Sequence, residues 1–508
     1  MTKFVRRFGL LVGLSTAGYV LSFCSQLVIS YYLGTSSDLD AYWAGLALVN
    51  VLCFYLHPLR EAIVPAIHRA GSPSSPNAGR IFSAGLSLLG VLVISSAMLL
   101  WTFSESFVAW MMPARGMQAD TSLVRLLPWL IPYIGLFAIS EMLTSVLLSL
   151  DRAVFQATAR IVSATIFLLV LLVGGASMGV SLLLLAQLSS LAVTVMMCSV
   201  LFRTLKFQPA MNMVQILRDS GVFPLFLSLL GSALVANLYT LAERSIMIYL
   251  SPGLVSAFQY STTLVNVLVS VLAVPLVNML WPHFLAGQNP ERFSSAGDMA
   301  ARAGAGLFLV LIVVCTFAWK HAEEIVHVLF GRGAFDEHSS RVTMSAFRAV
   351  VFAAIPISIG AVCGRFLVSL GDPRWQVLIG VANALVGVSV ILLAWWLKSS
   401  TMVQWHFLAA NCAGMAVAIF GCMRVCQVPI HVLLRHATWA MLVVSIVGLS
   451  AFLTPQVNVG RSTLQLLEGL VIDGVLFLVI ASLIGGTMVL IRPVRVALFS
   501  AGPVKLSR

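Results

Sequence analysis

Charged residues are scarce in this sequence, at 9% of 508 residues, against about 25% in an average soluble domain. A soluble fold needs such groups to cover its core with a wetted surface, so their scarcity excludes an ordinary soluble protein. Cysteine is sparse as well, with eight residues, which excludes a small disulfide-stapled scaffold. Hydrophobic residues supply 60% of the chain, a content that excludes intrinsic disorder. The composition predicts a protein whose solvent is the lipid bilayer.

Several sequence motifs are also absent. The net charge is +12, but no Lys/Arg-rich block with interleaved aromatic residues is present, so we expect no nucleic acid partner. There is no P-loop and no clustered acidic motif, so neither ATP hydrolysis nor an integral-membrane enzyme is expected. Cys422 and Cys426 lie four residues apart without a neighbouring histidine, which favours small buried hydrophobic side chains over a metal site. We predict no enzymatic activity, no metal and no cofactor.

Long apolar segments are what the sequence does contain, and fourteen of them are long enough to span a bilayer. Their approximate extents are 8–33, 41–67, 82–104, 124–149, 153–174, 179–202, 222–250, 254–281, 301–319, 345–370, 375–397, 402–423, 435–454 and 466–491. An even number of spans places both termini on one side. The loops and tails of that side hold 18 of the 30 Lys and Arg residues and the opposite loops hold 6, so both termini are predicted to be cytoplasmic.

Spans two and eight share a sequence pattern. Leu48–Leu52 recurs as Leu264–Leu268, so that Asn50 corresponds to Asn266. Two prolines with the same spacing follow each copy; they are Pro58, Pro65, Pro275 and Pro282. The offset of six spans predicts two repeated halves in parallel orientation, and transporters bind substrates between such halves.

The matched prolines are predicted hinge positions. Proline removes a backbone hydrogen bond and kinks a helix, which lipid tolerates where a neighbouring helix or a cavity satisfies the freed carbonyl group. We therefore expect spans two and eight to face a cavity. The alternative is that proline is simply commoner in membrane helices than in soluble ones.

Four regions follow from the spans and the repeat. Residues 203–221 mix basic and apolar side chains, which predicts a short amphipathic helix at the cytoplasmic interface. The predicted regions are an N-lobe with six spans at 1–205, a cytoplasmic amphipathic linker at 206–221, a C-lobe with six spans at 222–428, and two further spans with a basic tail at 429–508.

Ionisable residues inside spans are functional candidates, because each costs about 2.5–3.5 kcal/mol to insert. The basic ones are Arg60, Arg160, Arg244 and Arg365, and the acidic ones are Glu61, Glu141, Glu243 and Asp473. Arginine offers a planar, permanently charged fork that suits phosphate and diphosphate, so we predict an anionic substrate. The glutamates are candidates for neutralising the arginines or for carrying a coupling ion, H+ or Na+.

Two of these arginines are sequence neighbours of a glutamate, Arg60 with Glu61 and Arg244 with Glu243. Adjacent helical residues point about 100° apart, so each is expected to need a partner from another span. The alternative is a set of internal ion pairs, such as Arg244 with Glu61, that only hold helices together.

Two stretches resemble the MviN/MurJ-type lipid II flippases of the multidrug/oligosaccharidyl-lipid/polysaccharide exporter superfamily. The first is Leu33-Gly34-Thr35 with Asp40-Ala41-Tyr42-Trp43 and Val64-Pro65. The second is Leu329–Phe335 with Arg365 and with Leu370-Gly371-Asp372-Pro373-Arg374. The resemblance implies a V-shaped bundle of two six-helix lobes around a cavity, plus two C-terminal helices, which moves a polyprenyl-diphosphate sugar across the bacterial inner membrane by alternating access. It also adds Asp40 to the candidate coupling or ion-pair carboxylates.

The sequence departs from this family at the head-group site. Tyr19, Ser25, Cys53 and Thr263 stand where the resemblance would place cavity arginines. We infer that the fold is kept and the site is rebuilt, with Arg60, Arg244 and Arg365 as replacement phosphate contacts and with Arg160, Asn50 and Asn266 as further candidates.

The leading hypothesis is a flippase for a polyprenyl-diphosphate-linked saccharide that serves exopolysaccharide or other envelope synthesis, with a polysaccharide polymerase or glycosyltransferases as possible partners. Lipid II itself is the alternative substrate. A cation-coupled multidrug exporter and a non-transporting scaffold are the other classes, and four intramembrane arginines argue against cationic drugs. Coupling is assigned to protonation of Glu61, Glu141 or Glu243, or to the membrane potential acting on the bound anion.

Overall fold

The structure, a computed structural model, describes residues 2–70, 75–111, 118–150, 152–175, 179–207, 212–286, 290–370 and 374–426, together with Val447 and Asp473. Every regular element within these residues is a helix, which confirms the predicted all-α class. Apart from those two single residues, the predicted region 429–508 lies outside the described residues, and so do residues 371–373 of the second resembling stretch.

Nineteen α-helices are described. They are α1 Thr2–Leu33, α2 Ser37–Leu52, α3 Leu56–Arg69, α4 Pro76–Thr102, α5 Ser104–Met111, α6 Gln118–Ser149, α7 Ala153–Gly174, α8 Val180–Cys198, α9 Val200–Thr204, α10 Met213–Asp219, α11 Val222–Leu250, α12 Leu254–Ala286, α13 Pro290–Lys320, α14 Ala322–Phe330, α15 Glu337–Val350, α16 Ala354–Ser369, α17 Arg374–Trp396, α18 Ser400–Gln404 and α19 His406–Cys426. A short 3₁₀ helix, Val351–Ala353, joins α15 to α16.

Ten helical segments of the described chain are long and apolar enough to cross a membrane, and the bent pair α2–α3 makes an eleventh. They overlap predicted spans two to twelve, which confirms a multi-pass membrane protein. The total of fourteen spans, the parallel repeat and the cytoplasmic termini stay predictions.

Span two is broken between α2 and α3, which meet at a bend of 51°. Pro58 lies in the first turn of α3, where a backbone N–H has no partner within the helix and its loss costs little. The Ser96 hydroxyl of α4 donates to the Leu52 carbonyl at 2.8 Å. This bond satisfies a carbonyl group at the break, as the interior of a membrane requires. Pro65 lies further along, inside α3.

The chain divides into two compact units. Unit 1 comprises residues 1–257, 332–339 and 391–400, and unit 2 comprises 258–331, 340–390 and 401–508. In unit 1, α6 packs against α2, α3, α4 and α8, and α11 packs against α2 and α3. In unit 2, α16 packs against α13 and α19. The four predicted regions with their boundaries stay predictions.

The core of unit 1 lies around α3, α4 and α6, where Leu59, Ile63, Phe82 and Met142 are buried. Part of the predicted linker forms α10, which packs on α4 and buries Leu217. Within unit 1, the broken span α2–α3 therefore packs against α4 and α6.

Candidate substrate-binding site

A cavity of about 150 Å³ opens beside the break in span two, within unit 1. Complete ligand pockets measure about 300–1,000 Å³, so this cavity fits a head-group fragment rather than a whole lipid-linked saccharide. Its polar lining comes from α2, α3, α6 and α11, and its aromatic lining from the break and α6. The residues used below are Asn50, Phe54, His57, Arg60, Phe137, Glu141 and Asn237.

Arg60 is the positive charge of this cavity. Its guanidinium lies 3.3 Å from Oε2 of Glu141 on α6 and 3.3 Å from Oε1 of Glu61. His57 lies one helical turn before Glu61, with 4.0 Å between Nε2 and Oε1. The side chains of Arg60 and Glu141 are 33% and 37% exposed. Ion pairs this open contribute only about 0–1 kcal/mol, so a stronger anion can displace the carboxylates.

The local charge balance matters for the choice of substrate. Arg60 faces two carboxylates, Glu61 and Glu141, so these three groups carry one excess negative charge when both acids are ionised. A diphosphate would be attracted to Arg60 once one carboxylate moves away from the guanidinium.

Arg244 lies in a second polar cluster of unit 1. It forms an ion pair with Glu243, with 3.5 Å between Nε and Oε1; Glu243 is buried and Arg244 is partly buried. Its Nη1 donates to the carbonyl group of Val255 at 3.4 Å. Arg60 has the expected partner from another span, Glu141 of α6. The adjacent residues Arg60–Glu61 and Arg244–Glu243 pair as well, which was not expected, because their long side chains bend back towards each other. The pairing suggested between Arg244 and Glu61 is not among the described ion pairs.

Asp40 caps the first turn of α12. Its carboxylate accepts hydrogen bonds from the Gly253 backbone N–H at 2.6 Å, from the Ser256 backbone N–H at 2.8 Å and from the Ser256 hydroxyl at 2.6 Å. A carboxylate at a helix N-terminus satisfies orphan donors and is stabilised by the helix dipole. Asp40 is only 3% exposed, so these three donors, rather than an open cavity, surround it.

The two stretches that resemble the flippases lie against each other inside unit 1, where a Cβ atom on Gly34 would overlap the Ala334 carbonyl oxygen. Two hydrogen bonds support this contact from its edges: the Ala334 N–H donates to the Tyr31 carbonyl at 2.7 Å, and the Thr35 and Ser339 hydroxyls lie 2.8 Å apart. Gly333 has φ +67°, and a Cβ atom there would overlap the Tyr31 carbonyl oxygen. Glycine is required at this contact for both reasons.

Replacing Gly333 with Ala should lower the free energy of unfolding by about 1–3 kcal/mol, because alanine is strained at positive φ. Thermal unfolding of the purified protein measures the change. Gly306 on α13 is the matched control, since a Cβ atom there meets nothing within 4 Å. Equal stability of the Gly333→Ala and Gly306→Ala proteins would contradict the assignment.

The remaining predicted residues are placed as follows. Asn50 lines the cavity, and Arg160 is exposed on α7 and is not part of the lining. Asn266 is exposed on α12 and Arg365 on α16, both in unit 2. Pro275 and Pro282 lie in α12. The roles given to all these residues stay predictions.

The sequence analysis missed two polar lining residues, His57 and Asn237. Asn237 lies in span seven and donates to the Ala233 carbonyl at 2.8 Å. Polar groups inside a membrane helix are rare enough to mark a site. Asn237 is therefore recognisable from the sequence as an uncharged polar residue inside a predicted span.

The sequence model of the lipid II flippase MurJ family matches residues 29–473. A solved structure of lipid II flippase MurJ in an inward closed conformation superposes with a TM-score of 0.73 at 14% identity, over 94% of this chain and 99% of that chain. A MATE transporter of Vibrio cholerae, VcmN, gives a TM-score of 0.63 at 13% identity, over 84% of this chain and 98% of that one.

A third structural relative is a MOP superfamily transporter from Pyrococcus furiosus, whose reverse polarity of binding pocket suggests a different function. It gives a TM-score of 0.59 at 15% identity, over 86% of this chain and 95% of that one. At these identities the likeness shows a shared fold. Comparison with curated protein sequences gives no match.

Proposed function

Because the chain belongs to the lipid II flippase MurJ family, we propose that it translocates a polyprenyl-diphosphate-linked saccharide across the bacterial inner membrane. The product would feed exopolysaccharide or another envelope polymer. The observation that carries this proposal is the half-exposed Arg60 guanidinium at a cavity beside the break in span two. Arginine binds phosphate oxygens through two parallel hydrogen bonds, and an open pair is free to exchange its carboxylates for them.

In the proposed binding step, a diphosphate takes the place of Glu141 and Glu61 on Arg60. At least one of the two glutamates moves away from Arg60 as the anion enters, because the three groups otherwise keep an excess negative charge. Asn50 and Asn237 line the same cavity and offer amide donors to the remaining phosphate oxygens or to the first sugar. The prenyl tail stays in the lipid, since the cavity is too small for it.

The bend between α2 and α3 is the proposed moving part. Arg60 lies on α3, four residues after its first residue, Leu56. A change in the 51° bend would therefore move the guanidinium relative to α2. Hinges of this kind absorb backbone changes in a few residues at the end of an element.

A cation-coupled multidrug exporter is the second candidate, and the two carboxylates around Arg60 favour it. Glu61 and Glu141 exceed Arg60 in charge, and Phe54 and Phe137 supply aromatic faces that attract a cation. The intramembrane arginines repel a cationic drug less than their number suggests, because Arg244 is neutralised by its ion pair with Glu243.

Transport by proteoliposomes distinguishes the two candidates. We expect a fluorescent short-chain polyprenyl-diphosphate saccharide to become accessible to a quencher on the opposite side faster than in protein-free vesicles. A lipophilic fluorescent cation should show no such acceleration. The reverse pattern would support the exporter and contradict the flippase.

The identity of the envelope polymer is tested in cells. We expect deletion of the gene to abolish a surface polysaccharide, and we expect the gene not to rescue a bacterium depleted of its lipid II flippase. Rescue would make lipid II the substrate, as the alternative hypothesis states.

A further inference from the structure

Unit 2 contains a buried polar cluster that the proposed substrate site does not use. It lies where α13 ends and α14 begins, and its members are His321, Glu324 and Asp473, with exposed fractions of 1%, 6% and 7%. Nδ1 of His321 lies 3.9 Å from Oε2 of Glu324. Both atoms, together with Oδ2 of Asp473, are buried and have no hydrogen-bond partner among the described residues.

Such an arrangement is costly unless something binds there. A buried polar atom without a partner costs about 1–3 kcal/mol, and an ionised carboxylate costs more. The distance of 3.9 Å is too long for a hydrogen bond, but it closes with a side-chain movement of about 1 Å. The cluster therefore has space and charge for a small positive ligand between the Glu324 carboxylate and the His321 imidazole.

The surrounding charges come from three helices. Lys320 ends α13, Glu323 and Glu324 are in α14, and Arg348 is in α15. Arg348 lies over the Trp319 ring at 5.8 Å, and its Nε has no hydrogen-bond partner among the described residues. With Asp473, three carboxylates face two cations. One bound proton makes the set neutral.

We propose that Glu324, His321 and Asp473 form a binding site for one proton, which is held between the Glu324 carboxyl group and the His321 imidazole. The proton adds to Glu324 Oε2, and the resulting O–H donates to His321 Nδ1 once the two side chains approach. The charge of Asp473 acts on Lys320, at the end of α13. The proton comes from the aqueous phase, and no other co-reactant is needed.

The electrostatics of the cluster agree with this placement of the proton. Burial raises the pKa of Glu324, and the charges of Glu323 and Asp473 act in the same direction, while a hydrogen bond to its own backbone and the charge of Arg348 oppose the shift. Burial lowers the pKa of His321, with Lys320 acting in the same direction and Asp473 opposing it. A neutral acid next to a neutral imidazole is therefore favoured over an ion pair. As pH rises, the proton leaves, and the stability that it contributes is lost.

The chain connects this site to the contact between the two resembling stretches. After α14 it continues through Gly331 into residues 332–339, the segment of unit 1 that bonds to Tyr31 and Thr35. Proton uptake at Glu324 therefore acts on the helix that leads directly into that segment. We assign this proton a role in coupling to transport, and that role rests on the proposed function. Proton binding at the cluster does not depend on the proposed function.

Infrared difference spectroscopy of the full-length protein in lipid nanodiscs tests proton binding without any substrate. As the pH is raised, one infrared band of a protonated carboxyl group should disappear at a pH above about 4.3, the ordinary pKa of glutamic acid. The same band should shift when H2O is replaced by D2O. Glu324→Gln, which resembles the protonated acid in shape, should lose this band. Glu323→Gln is the matched control at an exposed neighbour and should keep it. Glu324→Asp retains a carboxyl group and should shift the band.

Retention of the full band in Glu324→Gln, or its loss in Glu323→Gln, would overturn the proposal. Displacement of the proton by Na+ at constant pH would overturn it in favour of a cation site. Thermal unfolding confirms that each variant is folded. Binding of undecaprenyl diphosphate, measured separately, should be unchanged in Glu324→Gln, while transport driven by an imposed pH gradient should be lost. If the native protein binds no diphosphate, the proposed function fails and the spectroscopic result still stands.

Discussion

Replacing Arg60 with Gln should weaken the binding of a polyprenyl diphosphate by roughly 30- to 140-fold and abolish its transport. A hydrogen bond to a charged group contributes about 1.5–3 kcal/mol. The upper part of this range, about 2–3 kcal/mol, applies to a planar fork that makes two such bonds, and it corresponds to roughly 30- to 140-fold at about 1.4 kcal/mol per tenfold. Glutamine keeps a polar side chain of similar reach but loses the charge and the two-pronged geometry. Microscale binding measurements on protein in nanodiscs give the affinity.

Arg80→Gln is the matched control, since it removes an arginine that is exposed on α4 and does not line the cavity. Arg60→Lys should recover only part of the affinity, because an ammonium group does not bind phosphate through a planar fork. Equal binding by the Arg60→Gln and Arg80→Gln proteins would remove Arg60 from the substrate site.

Glu141→Gln separates the two candidate substrates at the same cavity. It removes one of the carboxylates that hold Arg60 at 3.3 Å. A diphosphate should then bind more tightly, whereas a lipophilic cation should bind more weakly. Tighter binding of the cation would contradict the electrostatic assignment for both candidates.

Replacing Asp40 with Ala should destabilise the protein by about 3–5 kcal/mol, because each buried donor that loses its acceptor costs about 1–3 kcal/mol. Three donors lose their acceptor at once: the backbone N–H groups of Gly253 and Ser256 and the Ser256 hydroxyl. Helix α12 also loses the negative charge at its N-terminus. Thermal unfolding of the purified protein, followed by tryptophan fluorescence, measures the effect.

Asp38→Ala is the control, because Asp38 lies in the same first turn of α2 but is exposed. Asp40→Asn keeps one acceptor oxygen and should cost less than Asp40→Ala. The Asn variant also separates a cap from the coupling carboxylate predicted from the sequence. A protein with native stability and no transport would favour coupling, and a destabilised protein would favour the cap.

Much of the membrane architecture follows from hydropathy. Predicted spans two to twelve overlap the helical segments of the structure, because lipid requires every spanning segment to satisfy its own backbone hydrogen bonds. The break in span two lies just ahead of Pro58, which occupies the first turn of α3, where the restricted backbone of proline is tolerated. These features depend on local composition, which a single sequence displays.

The partners of the charged residues could not be predicted in the same way. Arg60 and Glu141 are separated by 81 residues, and Asp40 and Gly253 by 213. Hydropathy indicates that such residues enter the membrane, but it does not say which way each helix is rotated. Adjacent Arg and Glu residues pair although they point about 100° apart on the helix, because their side chains are long enough to bend towards each other. His321 and Glu324, only three residues apart, are the exception whose proximity a helical pattern predicts.

The amino-acid sequence was sufficient to establish a polytopic helical membrane protein and a short set of intramembrane charges, since a low-dielectric environment makes each charge expensive and therefore conspicuous. Only the tertiary structure decided what each charge does. In the structure, Arg60 lies beside an open cavity and Arg244 forms an ion pair with Glu243. Asp40 caps a helix, and Glu324 is buried next to His321. The physical reason is that solvation and hydrogen bonding depend on neighbours distant in sequence, and helix packing chooses those neighbours.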